Sequence, residues 1–167
     1  MLNRTGELWG FGDNKYGQLS SDDGKDDAKA VEHSPRLLIG SGVAAVSAGW
    51  THACALLHQP RGAIRVWGRN NYHQCGSSSQ EQTWAPLRLA AEVTTNLEGR
   101  KVLAGSEHCL CLTSEGRVLA WGWNEHGSCG TTVGDTVPSP SLVPLDGGPV
   151  TDIFTGSAHS FALVSYD

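Results

Sequence analysis

Methionine occurs once in this 167-residue sequence, and charged side chains make up only 17% of it. Set against 21 glycines, that scarcity suits many short strands joined by tight turns better than helices, so an all-β class is expected. An excess of positive charge is missing too. The formal net charge is −5, most of it from residues 20–33, where Asp22, Asp23, Asp26, Asp27 and Glu32 outnumber Lys25 and Lys29. The remainder is close to neutral, which argues against direct binding to nucleic acid or to an anionic membrane. No apolar run approaches the roughly 20 residues that span a bilayer, and the opening MLNRTGELWG lacks the apolar stretch of a secretory signal. A cytoplasmic location is expected, with the nucleus as an additional one. The five cysteines are odd in number and accompany no export signal, which points to reduced thiols rather than a disulfide framework.

Catalytic signatures are also wanting. There is no Gly-x-Ser-x-Gly elbow around any serine and no Walker sequence. GFGDNKYG does not complete a Gly-x-Gly-x-x-Gly phosphate cradle and opens no helix. The acidic stretch at 20–33 lacks the carboxylate spacing of an EF-hand and reads as a solvated loop. Cys109-x-Cys111 lacks the Cys-x₂₋₄-Cys and paired histidine spacing of a structural zinc site. Neither a metal nor a cofactor is expected.

What the sequence does contain is a repeat. FGDNKYGQLS begins at Phe11, WGRNNYHQCG at Trp67 and WGWNEHGSCG at Trp121, spacings of 56 and 54 residues. A second motif interleaves with the first: AGWTHACALL, AGSEHCLCLT and TGSAHSFALV, with glycines at 49, 105 and 156. A period slightly above fifty, built of short alternating segments and glycine turns, matches the blades of a β-propeller. One unit reads as an apolar strand over 101–104, a Gly-x-x-His turn, a strand over 109–113, a Ser-Glu-Gly-Arg hairpin and the strand VLAWG. Strands joined by a hairpin run antiparallel, so the Gly-x-x-His turn should lie beside the Asn-x-x-Gly turn at one edge of the blade. The units are expected at 36–98 and 99–145, with half units at 1–35 and 146–167 and insertions near 20–35 and 77–98.

The register of the repeat decides how the tempting side chains are read. Cys75 and Cys129 occupy the slot of Leu19, and Cys54 that of Leu110 and Phe161, so these three are core thiols. Cys109 and Cys111 share a face with Ala53 and Ala55, and with Ser160 and Ala162, where sheets pack closely. His52, His108 and His159 recur after each Gly-x-x. Catalysis needs such a group once, whereas one repeated in every blade is structural, here expected to bond backbone within its own turn. His33, His58 and His73 fall in loops or turns and read as solvated.

These motifs resemble the regulator of chromosome condensation repeat family, whose units carry a Gly-x-x-His turn and then Trp-Gly-x-Asn-x-x-Gly-Gln-Leu-Gly. SAGWTH, WGR followed by NYHQCG, GSEH and WGWNEHG look most like the branch of secretion-regulating guanine nucleotide exchange factors and its fungal relatives, the alpha-tubulin suppressor and killer-toxin-insensitivity propellers. The resemblance implies a ring of about seven blades in roughly 350 to 400 residues, of which this chain would supply about three from the C-terminal part. Open blade edges would then pair, and two associating copies are the other arrangement. Nothing in the residues supports covalent catalysis, and a protein-binding module is expected. The resemblance implies a small GTPase as partner, with nucleotide exchange as the activity; the alternative is a scaffold role for a small zinc protein that carries electrons in diphthamide synthesis and Elongator-dependent tRNA wobble-uridine modification. A chromatin-associated role is disfavoured by the acidic charge.

Positions that differ between repeats are free of the common structural demand. Trp123 stands where Asp13 and Arg69 stand, Glu125 where Lys15 and Asn71 stand, and His126 where Tyr16 and Tyr72 stand. By the edge argument they lie beside Trp50 and Glu107, the variable residues of the Gly-x-x-His turns. Trp123, Glu125, His126, Glu107, Trp50, Tyr72 and Arg69 together form the expected partner-binding face, with exposed aromatics, mixed charge and no nucleophile.

Overall fold

A computed structural model describes residues 5–19, 31–58, 61–77, 98–132 and 134–166. Most of the insertions expected near 20–35 and 77–98, namely residues 20–30 and 78–97, lies outside the described residues. The fold is all-β, a row of four antiparallel sheets. The first pairs β1 (Leu8–Asp13) with β2 (Val31–Ile39), and the second orders β3 (Val43–Ala48), β4 (His52–Leu57) and β5 (Ile64–Gly68). The third is four-stranded, with β6 (Gly99–Ala104), β7 (His108–Thr113), β8 (Val118–Trp123) and β9 (Thr136–Leu142) in sequence order. The last pairs β10 (Val150–Thr155) with β11 (Ser160–Val164). By repeat register β1 corresponds to β5 and β8, the outward half of a blade, while β10 and β11 correspond to β6 and β7, the inward half.

Hydrophobic pattern explains the stacking. Every residue of β4 (HACALL) and β7 (HCLCLT) is buried, because each is a central strand with a neighbouring blade against both faces. One core, with Leu8, Leu38, Ala53, Ala55 and Trp67, fills the space between the first and second sheets. A larger one, with Cys54, Cys75, Cys109, Cys111, Cys129, Leu112, Trp121 and Ile153, extends from the second sheet to the fourth. All five cysteines are free and buried. Burial pushes Cys75, Cys111 and Cys129 up to about 12 and Cys109 well above the usual thiol range, so these groups behave as small neutral hydrophobes.

β2 runs across residues 35 and 36, pairing Leu37 with Trp9 and Glu32 with Gly12, and His33 belongs to this strand rather than to a loop. Pro35 lies within β2, and an edge strand tolerates proline where an N–H would face solvent. Pro138 and Pro140 in β9 repeat the device. Among the described residues no strand pairs with the free edge of β1 or of β11, and Phe11 and Phe161 are 61% and 60% exposed.

Candidate protein-docking face

The two turn types meet as the hairpin argument requires. His52 pairs with Gly68 and His108 with Gly122 across the strand ends. The N–H of Arg69 donates to the Thr51 carbonyl at 2.9 Å, and that of Trp123 donates to the Glu107 carbonyl, also at 2.9 Å. Each Asn-x-x-Gly turn closes on its asparagine. The side chains of Asn14, Asn70 and Asn124 accept from the N–H five residues on, at 2.9, 2.9 and 3.0 Å. His73 occupies the slot of Gly17 and Gly127 and shares their left-handed backbone, with φ of 62° against 74° and 72°. Its Nδ1 lies 3.0 Å from the Ser77 carbonyl oxygen and it is half-buried, so it is a turn residue rather than a solvated one.

Blades are joined along this face by groups that recur with the repeat. Trp67 donates its indole N–H to the Gln18 carbonyl at 2.7 Å, and Trp121 donates to that of Gln74 at 2.8 Å. Nearer the axis, the N–H of Trp50 donates to the Ser106 carbonyl at 3.0 Å, and that of Ser106 to Ser157 at 3.3 Å. The histidines correct the expectation of a bond to their own turn. His52 Nε2 lies 3.2 Å from Cys109 Sγ, while His108 Nε2 lies 2.8 Å from Thr155 Oγ1 and 3.1 Å from Ser160 Oγ. All three partners belong to the next blade. Ser160 gives its own proton to the Ser128 carbonyl at 2.7 Å, so toward His108 it accepts, which puts the histidine proton on Nε2. Nδ1 of His52 and of His108 has no hydrogen-bond partner; each ring packs on the glycine three residues earlier, where a Cβ would collide with it. Burial, reinforced by the neighbouring histidine, lowers both to about 4.

Glu107 is the one member of the expected face that lies underneath it. At 7% exposure, its carboxylate accepts at 2.6 Å from Thr51 Oγ1 and at 2.6 Å from Gln74 Nε2, with Arg69 Nη1 at 3.9 Å. Both hydrogen bonds reach Oε2, and the residue is a buried inter-blade strut rather than a free contact residue. Gln74 is wholly buried and also accepts from the Tyr72 N–H at 2.9 Å, as Gln18 does from Tyr16 at 2.8 Å. Sequence reasoning passed over this glutamine, although its recurrence in GQL and HQC was a usable signal.

Above the strut runs a ladder of rings and cations that crosses three blades. Lys15 Nζ sits 5.4 Å from the centre of the Tyr16 ring, and the Arg69 guanidinium lies 5.1 Å from Tyr16 and 5.4 Å from Tyr72. Tyr72 then meets Trp123 at 6.2 Å, and Trp123 meets His126 edge-on at 4.9 Å. The structure therefore brings Arg69, Tyr72, Trp123 and His126 into one contiguous row and adds Lys15 and Tyr16. Glu125 is exposed on the same turn. Trp50, 71% exposed, stands nearer the axis on its own turn, and no ring contact joins it to the row among the described residues. Chemically the face offers π surfaces, charges of both signs and backbone turns, a set suited to holding another macromolecule.

Comparison with known proteins fits this architecture. The model of the regulator of chromosome condensation (RCC1) repeat matches residues 5–56, 61–112 and 115–163. The chain belongs to this family. Human E3 ubiquitin-protein ligase HERC2 is 35% identical over 159 residues, a match covering 93% of this chain but 3% of that protein. The mouse secretion-regulating guanine nucleotide exchange factor is 32% identical over 192 residues, covering 97% of this chain and 38% of the factor. The chain thus spans well under half of these relatives. Among solved structures, Prp20p from Saccharomyces cerevisiae, studied for its binding to Gsp1p and histones, superposes with a TM-score of 0.79 at 17% identity, over 99% of this chain and 42% of Prp20p. This last likeness carries the fold alone: these sheets are blades of an RCC1-type propeller.

Proposed function

We propose that this propeller segment is a protein-docking module whose turn face engages a small GTPase and promotes or regulates its nucleotide exchange. The observation that carries the reading is the preformed ladder from Lys15 to His126, fixed in register across three blades by Glu107 and the tryptophan N–H bonds. A row already ordered in the free protein loses little side-chain entropy on binding. The exchange-factor relative supports the choice of partner. Exchange of this kind needs no nucleophile. A surface that binds the nucleotide-free GTPase more tightly than the loaded one lowers the barrier to release by that difference.

The test is capture of small GTPases by the immobilised protein in nucleotide-free, GDP-loaded and GTP-loaded states, with release of a fluorescent GDP analogue as the activity readout. Capture should favour the nucleotide-free form. Replacing Trp123, Glu125 and His126 together by alanine should abolish it while the melting curve stays cooperative. Indifference to nucleotide state would refute exchange, and recovery of a small zinc protein without a GTPase would replace it by the scaffold role. Unfolding of the triple variant would show these side chains to be core.

A further inference from the structure

The docking reading leaves open which chemistry the face accepts, and the balance of exposed groups supplies an answer that rests on that reading. Among the described residues of this face, Asp13, Glu125 and Asp135 are exposed carboxylates. Asp135 reaches it through its carbonyl, which accepts from the Asn124 N–H at 2.8 Å. The cations are fewer and already engaged. Arg69 lies between the rings of Tyr16 and Tyr72, bonds the Asn71 side chain through Nε and faces Glu107; Lys15 rests on Tyr16. Asp13 already accepts from the Lys15 N–H at 3.1 Å and the Gln18 side-chain amide at 3.4 Å, which leaves the exposed Glu125 carboxylate beside the solvent-facing parts of Tyr72 and Trp123. The molecule shows what such rings hold, since Arg69 is seated on two of them and Lys101 Nζ lies 4.8 Å from the centre of the Phe154 ring on a separate part of the fold.

We propose that this ridge receives an arginine-bearing segment of the protein partner, the guanidinium stacked on the outer faces of Tyr72 and Trp123 and paired with the Glu125 carboxylate. Arginine fits better than lysine because its planar, weakly hydrated head stacks on a ring while its N–H groups still reach a carboxylate. An acidic segment would meet three like charges. An apolar helix would need a groove, whereas the ladder is a row of side chains standing on polar turns.

Three synthetic peptides of equal length test this against the intact protein by tryptophan fluorescence. One carries two arginines, one replaces them by the neutral isostere citrulline, and one by glutamate. The arginine peptide should bind, the citrulline peptide about tenfold more weakly, and the glutamate peptide not measurably. Trp123→Leu should weaken the arginine peptide about fivefold. Because Trp123 is half-buried, the exposed Glu125→Gln provides the second variant. It should also weaken binding about fivefold and flatten the salt dependence, with melting unchanged. Equal binding of the citrulline peptide, no binding of the arginine peptide, or a Glu125→Gln variant that binds as well as the parent would each overturn the proposal. GTPase capture that the arginine peptide cannot compete away would leave the docking reading standing and remove only this one.

Discussion

Acid should unfold this protein through two histidines. His52 and His108 are buried and neutral, with Nε2 committed to the next blade and Nδ1 packed against a glycine without a hydrogen-bond partner. Protonation would add a charge and an unsatisfied N–H in one step. With an ordinary value of 6.5 and a folded value of about 4, the unfolded chain takes up protons that the folded chain refuses. Stability is therefore unaffected above about pH 6.5 and falls as the pH drops from there toward 4. At about pH 5 the ratio of the two binding terms is worth about 2 kcal/mol for each histidine, hence about 4 kcal/mol together. Against a total stability of roughly 5 to 15 kcal/mol for a domain, that is a large share. Urea unfolding followed by tryptophan fluorescence, from about pH 7.5 down to about pH 5, should show the midpoint falling steadily below about pH 6.5. The double variant His52→Gln and His108→Gln keeps a donor near Nε2 but cannot titrate. It should start less stable and lose little more on acidification. A parent midpoint that does not move, or a double variant that retains the full slope, would refute the account.

Other perturbations follow from the same joints. Gly105→Ala places a methyl group against the His108 ring and should cost about 3 kcal/mol or more by thermal melting, while Gly40→Ala, with nothing within 4 Å of the new Cβ, should change stability by less than about 0.5 kcal/mol. Trp121→Phe removes the donor to the Gln74 carbonyl and opens space in a residue with no exposed surface, for an expected loss of about 2 to 3 kcal/mol in urea unfolding. His73→Gly relieves a left-handed backbone at the cost of a looser unfolded chain, so its melting temperature should match the parent or exceed it slightly.

The seven expected contact residues show where sequence reasoning reached and where it stopped. The antiparallel hairpin alone put Trp123 beside Glu107 and Arg69 beside Thr51, because strand pairing is local and its geometry is fixed. It could not show that Glu107 turns downward. Its partners Thr51 and Gln74 lie 56 and 33 residues away, on the preceding blade, and a position that varies between repeats looks the same whether it faces a partner or fills a single joint. The histidines failed in the same manner: their recurrence marked them as structural, but their acceptors are supplied across the blade interface.

In WGWNEHGSCG the repeat register had already separated frame from variation, assigning Trp121, Gly122, Asn124, Gly127, Cys129 and Gly130 to the blade and leaving Trp123, Glu125 and His126 as the side chains that differ. Such a partition needs only self-comparison, because every blade must satisfy the same backbone and core demands. The tertiary structure alone decided that Trp123 and His126 continue a ladder begun by Lys15, Tyr16, Arg69 and Tyr72. Those residues come from three turns more than fifty residues apart in sequence, and only the lateral stacking of the blades brings their rings within contact of one another.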